Sequence, residues 1–196
     1  MNPLRGITLP ITLGLLLTTL LLGCGAGEKK KMRILERADR YFKTGEYDKA
    51  KIEYLNLLRI DRNDATAIQQ LGFIWFEEGA ILQAYPYLSR ARELVPDNIA
   101  VSTKLATVLA ALGEGAKARQ EAMSILQESA DQEEALLVLA DTARTDEEIE
   151  ETQEQLRRIP EEKDLYYHLA WATLAIRQGD LAYAQGELEE ALKSDP

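Results

Sequence analysis

Residues 65–98 read ATAIQQLGFIWFEEGAILQAYPYLSRARELVPDN, and the pattern of this segment returns along the rest of the chain. Its glycine at position 79 has counterparts 34 residues before and after it, at Gly45 and Gly113. An alanine follows each of the three glycines after five residues, at Ala50, Ala84 and Ala118. This period is typical of a helix-turn-helix unit, which buries its apolar side only by stacking on a copy of itself. The sequence therefore predicts a helical repeat protein.

Other positions of the segment recur with the same period. Small residues stand at Ala38, Gly72, Ala106, Ala140 and Ala172. A second recurring position holds Tyr54, Leu88, Ala122, Leu156 and Leu188. A small side chain lets the two helices of a repeat pack closely, and a glycine at the end of the first helix adopts the left-handed conformation that a helix terminus often needs. We interpret all these residues as scaffold and none as a functional site.

These columns resemble the tetratricopeptide repeat, whose pattern is W-x2-L-G-x2-Y, then A-x3-F, then P. The best copy, residues 65–98, matches through Ile68, Leu71, Gly72, Trp75, Gly79, Ala84, Leu88, Ala91 and Pro96. The last copy matches through Trp171, Ala172, Gly179, Ala184, Leu188, Ala191 and Pro196. The resemblance implies an all-α fold, a right-handed superhelical α-solenoid of about five repeats.

The expected repeats occupy residues 31–64, 65–98, 99–132, 133–164 and 165–196. The fourth repeat is degenerate, because Glu147 and Thr152 replace the expected glycine and alanine. Thr145 and Glu148 form a capping-box pattern that predicts the start of its second helix, and Pro160 is expected to end that helix early. In the second repeat, Pro86 is expected either to delay the second helix or to bend it.

The amino terminus resembles a bacterial lipoprotein signal. Arg5 precedes an apolar run from Ile7 to Leu22, and Gly23 then leads into Cys24, the only cysteine of the chain. The resemblance implies that residues 1–23 are removed, that Cys24 is acylated, and that residues 24–30 form a lipidated tether. The alternative is a retained transmembrane anchor, although the apolar run is shorter than the ~20 residues of a membrane-spanning helix. Gly25, in place of aspartate, implies export towards the outer membrane, on its periplasmic side.

Composition argues against nucleic-acid binding and catalysis. The net charge of −10 repels nucleic acid and anionic lipid headgroups. The one basic cluster, Lys29 to Arg33, either rests near headgroups or is a solvated helix start. His168 is the only histidine and the lipid occupies Cys24, so no cysteine–histidine pair or histidine metal cluster is available. The acidic residues 146–154 are interpreted as a solvated helix face, and we predict no enzyme activity, metal or cofactor.

A partner-binding groove is the candidate site, because the first helices of such repeats line a concave surface. The positions expected to point inward are Gln69, Phe73, Phe76, Thr103, Thr107, Ala110, Leu137, Asp141, Arg144, Tyr166, Leu169 and Thr173. Phe73 and Phe76 either form an aromatic patch for an extended or helical peptide, or pack against neighbouring helices. Asp141 and Arg144 are expected to fix the direction of that peptide.

The expected function is that of a membrane-anchored scaffold that binds protein partners in the bacterial cell envelope. The stretches YFKTGEYDKAKIEYLNLLRIDRNDA (41–65) and EEALLVLADTA (133–143), behind a lipoprotein signal, resemble repeat-bearing lipoproteins of exosortase-linked exopolysaccharide systems. That resemblance implies a role in polysaccharide export. The alternative is an assembly factor for an outer-membrane barrel or a pilus secretin.

Overall fold

The computed structural model describes residues 11–129, 132–159 and 165–194, with side chains from Gly27 onward. Within these ranges the chain forms ten α-helices and no strand, which confirms the predicted all-α fold. The helices are α1 Ile11–Lys43, α2 Tyr47–Ile60, α3 Ala65–Glu77, α4 Ile81–Leu94, α5 Ile99–Ala111, α6 Gly115–Glu128, α7 Glu133–Thr142, α8 Asp146–Arg157, α9 Leu165–Gln178 and α10 Leu181–Ser194. None of the helices in these ranges has the length and apolar character needed to cross a bilayer.

Some predicted features fall outside this description. Residues 1–10 of the signal segment, Pro160 and Pro196 lie outside the described residues. Cys24 lies in the part of α1 for which the backbone alone is described. Cleavage of the signal and acylation of Cys24 therefore stay predictions.

The chain divides into two compact units, residues 1–67 and residues 68–196. In the first unit α1 packs against α2, and Ala38, Ala50 and Tyr54 are buried. The Tyr54 hydroxyl donates a hydrogen bond to Asp39 Oδ1 at 2.7 Å. Burial and this bond both raise the pKa of Tyr54, so the phenol keeps its proton and stays a donor.

In the second unit the first helices of repeats three, four and five contact one another in turn, α5 with α7 and α7 with α9. α5 contacts α4, α6 and α7, and α7 in turn contacts α8 and α9, which packs on α10. One apolar cluster draws on α4 to α7 and contains, among others, Leu88, Leu105, Val108, Leu109, Ile125, Val138 and Leu139. A second cluster draws on α7 to α9 and contains Leu136, Ile149, Leu156, Tyr167 and Leu174. The apolar core is thus shared between neighbouring repeats, as the sequence period predicts.

The recurring glycines end first helices. Gly45, Gly79, Gly113 and Gly179 have φ between 68° and 80°, the left-handed region that a Cβ disfavours. After each glycine the chain folds back in the same way: the Ala80 N–H, for example, donates to the Trp75 carbonyl at 2.8 Å. This bond across five residues is the mark of a Schellman motif, which satisfies carbonyls at a helix end. The predicted role of the glycine column is confirmed.

The small-residue column marks the closest approach of paired helices. Ala38, Ala106 and Ala140 are fully buried. A Cβ added to Gly72 would lie 3.0 Å from the Leu88 side chain and 3.2 Å from the Leu88 backbone nitrogen. The surface of α4 therefore leaves no room for a side chain at this point of α3.

The fourth repeat ends its first helix without a glycine. α7 has 10 residues, three fewer than α3 or α5, and its C-cap Ala143 has extended backbone angles. The predicted capping box starts α8: Thr145 Oγ1 accepts from the Glu148 N–H, and the Glu148 carboxylate accepts from the Thr145 N–H. Backbone bonds from Arg144 and Thr145 lower the pKa of Glu148, with the Arg144 bond the larger cause. α8 ends at Arg157, ahead of Pro160.

Two arginines bind the carbonyl end of α7 instead. Arg119 on α6 is buried and donates to the Leu139 carbonyl at 2.9 Å and to Glu151 Oε2 at 2.7 Å. Arg177 on α9 donates to the carbonyls of Ala140, at 3.1 Å, and Asp141. Positive charge at a helix C-terminus favours the negative end of the helix dipole. Side chains from the preceding and following repeats thus replace the missing turn.

The proline inside α4 does not delay the helix. α4 begins at Ile81 and continues through Pro86 to Leu94. Proline lacks an N–H, so one bond of the helix ladder is absent at this residue. Of the two expectations for Pro86, the delayed start is therefore wrong.

Candidate partner-binding groove

The first helices of repeats two to five line two adjoining recesses in the second unit. The smaller recess has a volume of about 340 Å³ and is lined by Phe76, Glu77, Lys104, Thr107, Glu134, Leu137, Val138, Asp141 and Tyr166. The larger has a volume of about 600 Å³ and is lined by Ile99, Ala100, Thr103, Lys104, Gln132, Glu133, Glu134 and Tyr166. The two recesses share Lys104, Glu134 and Tyr166, and together we name them the groove. Five residues expected to point inward line the smaller recess: Phe76, Thr107, Leu137, Asp141 and Tyr166.

A lysine that the sequence reasoning did not select covers the two phenylalanines. The ammonium of Lys104 lies 4.2 Å from the ring centre of Phe76 and 5.5 Å from that of Phe73. It also donates to Glu77 Oε1 at 2.8 Å. The inner faces of both rings pack on the first apolar cluster. The rings pack on the core on one side and make a cation–π contact with Lys104 on the other, and their role as a patch for a peptide stays a prediction.

The threonines expected in the groove use their hydroxyl protons within their own helices. Thr103 donates to the Ile99 carbonyl at 2.9 Å, Thr107 to the Thr103 carbonyl at 3.1 Å, and Thr173 to the Leu169 carbonyl at 2.8 Å. Bonding to the carbonyl four residues back is the usual choice for a threonine inside a helix. These residues therefore offer a ligand acceptor oxygens and methyl groups, while the donors are already engaged.

Six of the expected residues lie outside the two recesses, namely Gln69, Phe73, Ala110, Arg144, Leu169 and Thr173. Phe73 lies under Lys104, Thr173 lies further along α9, and Gln69 Oε1 accepts a bond from Asn98 Nδ2 at 3.2 Å. Asn98 caps α5, so Gln69 supports that helix start. Arg144 follows the last residue of α7, and its N–H donates to Glu148 at 2.6 Å. The expectation that Arg144 stands on the first helix of repeat four is thus corrected, because α7 ends early.

The charge of the smaller recess is mainly negative. Its rim carries the carboxylates of Glu77, Glu134 and Asp141 and a single ammonium, that of Lys104. Desolvation raises the pKa of Asp141, although Arg177 and Arg144 oppose the shift and solvent reaches the side chain. Protein atoms on several sides of the recess desolvate this carboxylate while leaving it open to the groove. A cationic group that enters the recess would offset the cost of this desolvation. It would also reduce the repulsion between the three carboxylates.

The one histidine is engaged outside the groove. His168 Nδ1 lies 2.8 Å from Glu187 Oε2, and its ring meets that of Tyr167 edge to face at 5.4 Å. It is partly buried between α9 and α10. Among the described residues, no three metal-binding side chains converge.

Comparisons with known proteins agree with this architecture. The tetratricopeptide repeat family model matches residues 76–141. The solved structure of MamA from Desulfovibrio magneticus RS-1 superposes with a TM-score of 0.68 at 18% identity, covering 85% of this chain and 95% of that chain. YrrB, described as a TPR protein with an unusual peptide-binding site, gives a TM-score of 0.68 at 18% identity, covering 86% and 89%.

A tetratricopeptide repeat protein from Parabacteroides merdae gives a TM-score of 0.57 at 14% identity, covering 83% of this chain and 64% of that chain. No curated protein matches the sequence significantly. The family match and the shared architecture together confirm the predicted fold. The chain has the α-solenoid fold of tetratricopeptide repeat proteins, and its residues 76–141 match the model of that family.

Proposed function

We propose that this protein is a protein-interaction scaffold whose groove binds a partner segment that carries a basic side chain. The observation behind the proposal is the smaller recess, where the carboxylates of Glu134 and Asp141, together with Glu77 that is paired with Lys104, stand beside the aromatic rings of Phe76 and Tyr166. Lysine and arginine side chains have an apolar stem and a charged end. Such a side chain fits a recess that offers rings to the stem and carboxylates to the charge.

Long-range electrostatics favour the same partner. Residues 68–196 carry 25 Asp and Glu against eleven Lys and Arg, a net charge of −14. Complementary charge speeds the encounter with a basic segment and disfavours acidic ones. The two recesses adjoin, so a segment of several residues has room to place one side chain in the smaller recess and continue along the larger. YrrB, whose printed description names a peptide-binding site, supports this kind of ligand.

The first test removes groove charge without changing shape. In the double variant Glu134→Gln and Asp141→Asn, we expect affinity for the partner to fall about ten-fold or more, since each lost charge-assisted bond weakens binding. Partners are first identified by photo-crosslinking from position 134 in the native cell. Affinity is then measured with the purified partner segment.

The matched control is Glu147→Gln with Glu150→Gln, which removes the same charge from exposed positions of α8. We expect this control to bind like the wild type. Equal weakening in both variants would mean that binding depends on net charge alone. Unchanged binding in the groove variant would refute the proposal that the groove is the binding site.

We further propose that Cys24 is acylated and holds the scaffold at the bacterial cell envelope, on the outer membrane facing the periplasm. The support is the apolar run from Ile7 to Leu22 followed by Gly23 and Cys24. Two or three acyl chains give stable attachment, whereas one gives only reversible binding. We expect the mass of the native protein to correspond to a chain that begins at residue 24 and carries a diacylglyceryl group, and Cys24→Ser to abolish both changes. An unmodified amino terminus in the wild type would contradict the anchor.

Within the envelope, we propose that the scaffold recruits its partner to a machine for polysaccharide export. The support is the likeness of its sequence to repeat-bearing lipoproteins of such systems. The partner recovered by crosslinking decides the pathway. Recovery of a polysaccharide synthesis or export protein would support the role in polysaccharide export. Recovery of a barrel protein or a pilus secretin would instead support the role of an assembly factor.

A further inference from the structure

The first unit contains a recess whose charged residues are all basic. It has a volume of about 520 Å³ and lies between α1 and α2, lined by Lys30, Arg33, Ile34, Arg37, Asn56, Arg59 and Ile60. The residues of α1 at positions 30, 33, 34 and 37 follow helical spacing, so they share one face of that helix. The face meets the last turn of α2, which supplies Asn56, Arg59 and Ile60.

The repeat register shows that this basic character is specific to the first repeat. The positions that correspond to Arg33 in the next three repeats are Ala67, Val101 and Ala135, which are all fully buried. The positions that correspond to Arg37 are Leu71, Leu105 and Leu139, which are also buried. A terminal repeat needs a polar outer face for solubility, and carboxylates or neutral side chains serve that need as well as arginine does. The uniform positive sign calls for a further reason.

The basic side chains of the recess differ in the hydrogen bonds and ion pairs that they form. Arg37 makes two bonds to Glu53, at 2.7 and 2.6 Å, so its guanidinium is held by α2. Arg59 uses one donor on Asn56 Oδ1 at 3.1 Å. Among the ion pairs that the described residues form, none engages Lys30, Arg33 or Arg59. These three side chains can turn towards an anion, and Ile34 and Ile60 provide an apolar floor.

The two compact units carry net charges of opposite sign. Without residues 1–23, which the proposed processing removes, the first unit carries eleven Lys and Arg against eight Asp and Glu, a net charge of +3. The second unit, at −14, is repelled by an anionic surface, so attraction to such a surface must come from the first unit. A charge asymmetry of this kind between two parts of a chain is typical of proteins that contact a membrane or nucleic acid.

The continuity of α1 favours a membrane as the source of the anion. α1 is one helix from Ile11 to Lys43, so Lys30 and Arg33 stand only about 9 and 14 Å along its axis from Cys24. The headgroup layer of a bilayer is about 5–8 Å deep, and the Debye length at physiological salt is about 8 Å. A bilayer that begins near Cys24 thus lies within electrostatic reach of the recess.

We propose that this recess binds the phosphate of anionic phospholipid headgroups and so holds the first unit against the membrane surface. The proposal relies on the proposed anchoring only to bring α1 near a bilayer. Arg33 and Arg59 approach from the two helices, and a guanidinium presents paired donors that match phosphate oxygens. The two isoleucines contact the glycerol end of the headgroup. The basic cluster is in this proposal a lipid contact rather than a solvated helix start.

The test uses the full chain reconstituted in phosphatidylcholine vesicles with about one quarter photoactivatable phosphatidylglycerol, since anionic headgroups attract basic segments. Crosslinks are mapped by mass spectrometry. We expect them to concentrate in residues 28–38 and 55–62 and to fall about ten-fold or more in Arg33→Gln with Arg59→Gln, because each basic residue contributes about five-fold to such binding. Both arginines are exposed, so the variant is expected to fold, and circular dichroism checks that it does.

The control is Arg40→Gln with Lys43→Gln, which removes equal charge from exposed positions further along α1. Equal loss in the two variants would show attraction to net charge alone and overturn the recess. Full displacement of the crosslinks by inorganic phosphate, at an ionic strength matched with chloride, would assign the site to free phosphate. Because the vesicles supply the bilayer, a missing acyl group on Cys24 would leave this result readable and would refute the anchor alone.

Discussion

Gly72→Leu is expected to destabilise the second unit by about 2–3 kcal/mol, since overpacking a close helix contact costs about this much even after leucine improves helix propensity. A Cβ at this position already meets Leu88 at 3.0 Å, and one of the neighbouring atoms is backbone, which cannot rotate away. The helices α3 and α4 must therefore separate. Urea unfolding followed by circular dichroism measures the loss.

The matched control is Gly186→Leu in α10, where an added Cβ meets nothing within 4 Å. Both substitutions place the same residue inside a helix, so the propensity gain is shared. We expect the control to stabilise the protein by up to about 1 kcal/mol, as removal of a helical glycine does. If the two variants were equally stable, the close packing at Gly72 would not limit the fold.

Arg119→Met is the second large effect, with an expected loss of about 2–3 kcal/mol, because hydrogen bonds to a charged group contribute more than neutral ones. Methionine keeps much of the buried length of the side chain, so the change isolates the guanidinium. It removes the bonds to the Leu139 carbonyl and to Glu151. We expect the carbonyl end of α7 to fray first, and faster amide exchange at residues 139–145 to report it.

Arg90→Met is the control for that experiment. Arg90 forms an exposed ion pair with Glu93 on the same helix, and such a pair contributes at most about 0.5 kcal/mol. The same arginine-to-methionine change should therefore leave stability and exchange near α7 unaltered. A similar loss in both variants would mean that Arg119 acts only through general charge or packing.

The fold could be predicted from the sequence because each repeat contains positions at which only one or two residue types fit. A left-handed turn selects glycine, and a close helix contact selects glycine or alanine, so Gly79 and Gly72 are visible in one sequence. Helical spacing also places residues on one face, which is why Phe76, Thr107, Asp141 and Tyr166 meet in the smaller recess. Whether that recess binds a partner is a prediction that the geometry supports and the proposed experiments test.

The missed features depend on flexible side chains and on residues far apart in the chain. Lys104 covers Phe73 and Phe76 because its four-carbon stem reaches from α5 to the rings on α3, and spacing alone does not reveal a rotamer. Arg119 meets Leu139 across 20 residues, and no local pattern marks that contact. The sequence does allow the hydrogen bonds of the threonine hydroxyls to be predicted, since a threonine inside a helix usually donates to the carbonyl four residues before it.

The arginines at the end of α7 have a consequence for how the chain can be rearranged. A repeat that ends its first helix at its own glycine needs no neighbouring side chain for that turn, although its apolar core is still shared with the adjacent repeats. The end of the first helix of the fourth repeat is bonded by Arg119 from the repeat before it and by Arg177 from the repeat after it. A graft or redesign that moves the fourth repeat without its two neighbours therefore leaves the carbonyl end of α7 without these two arginines.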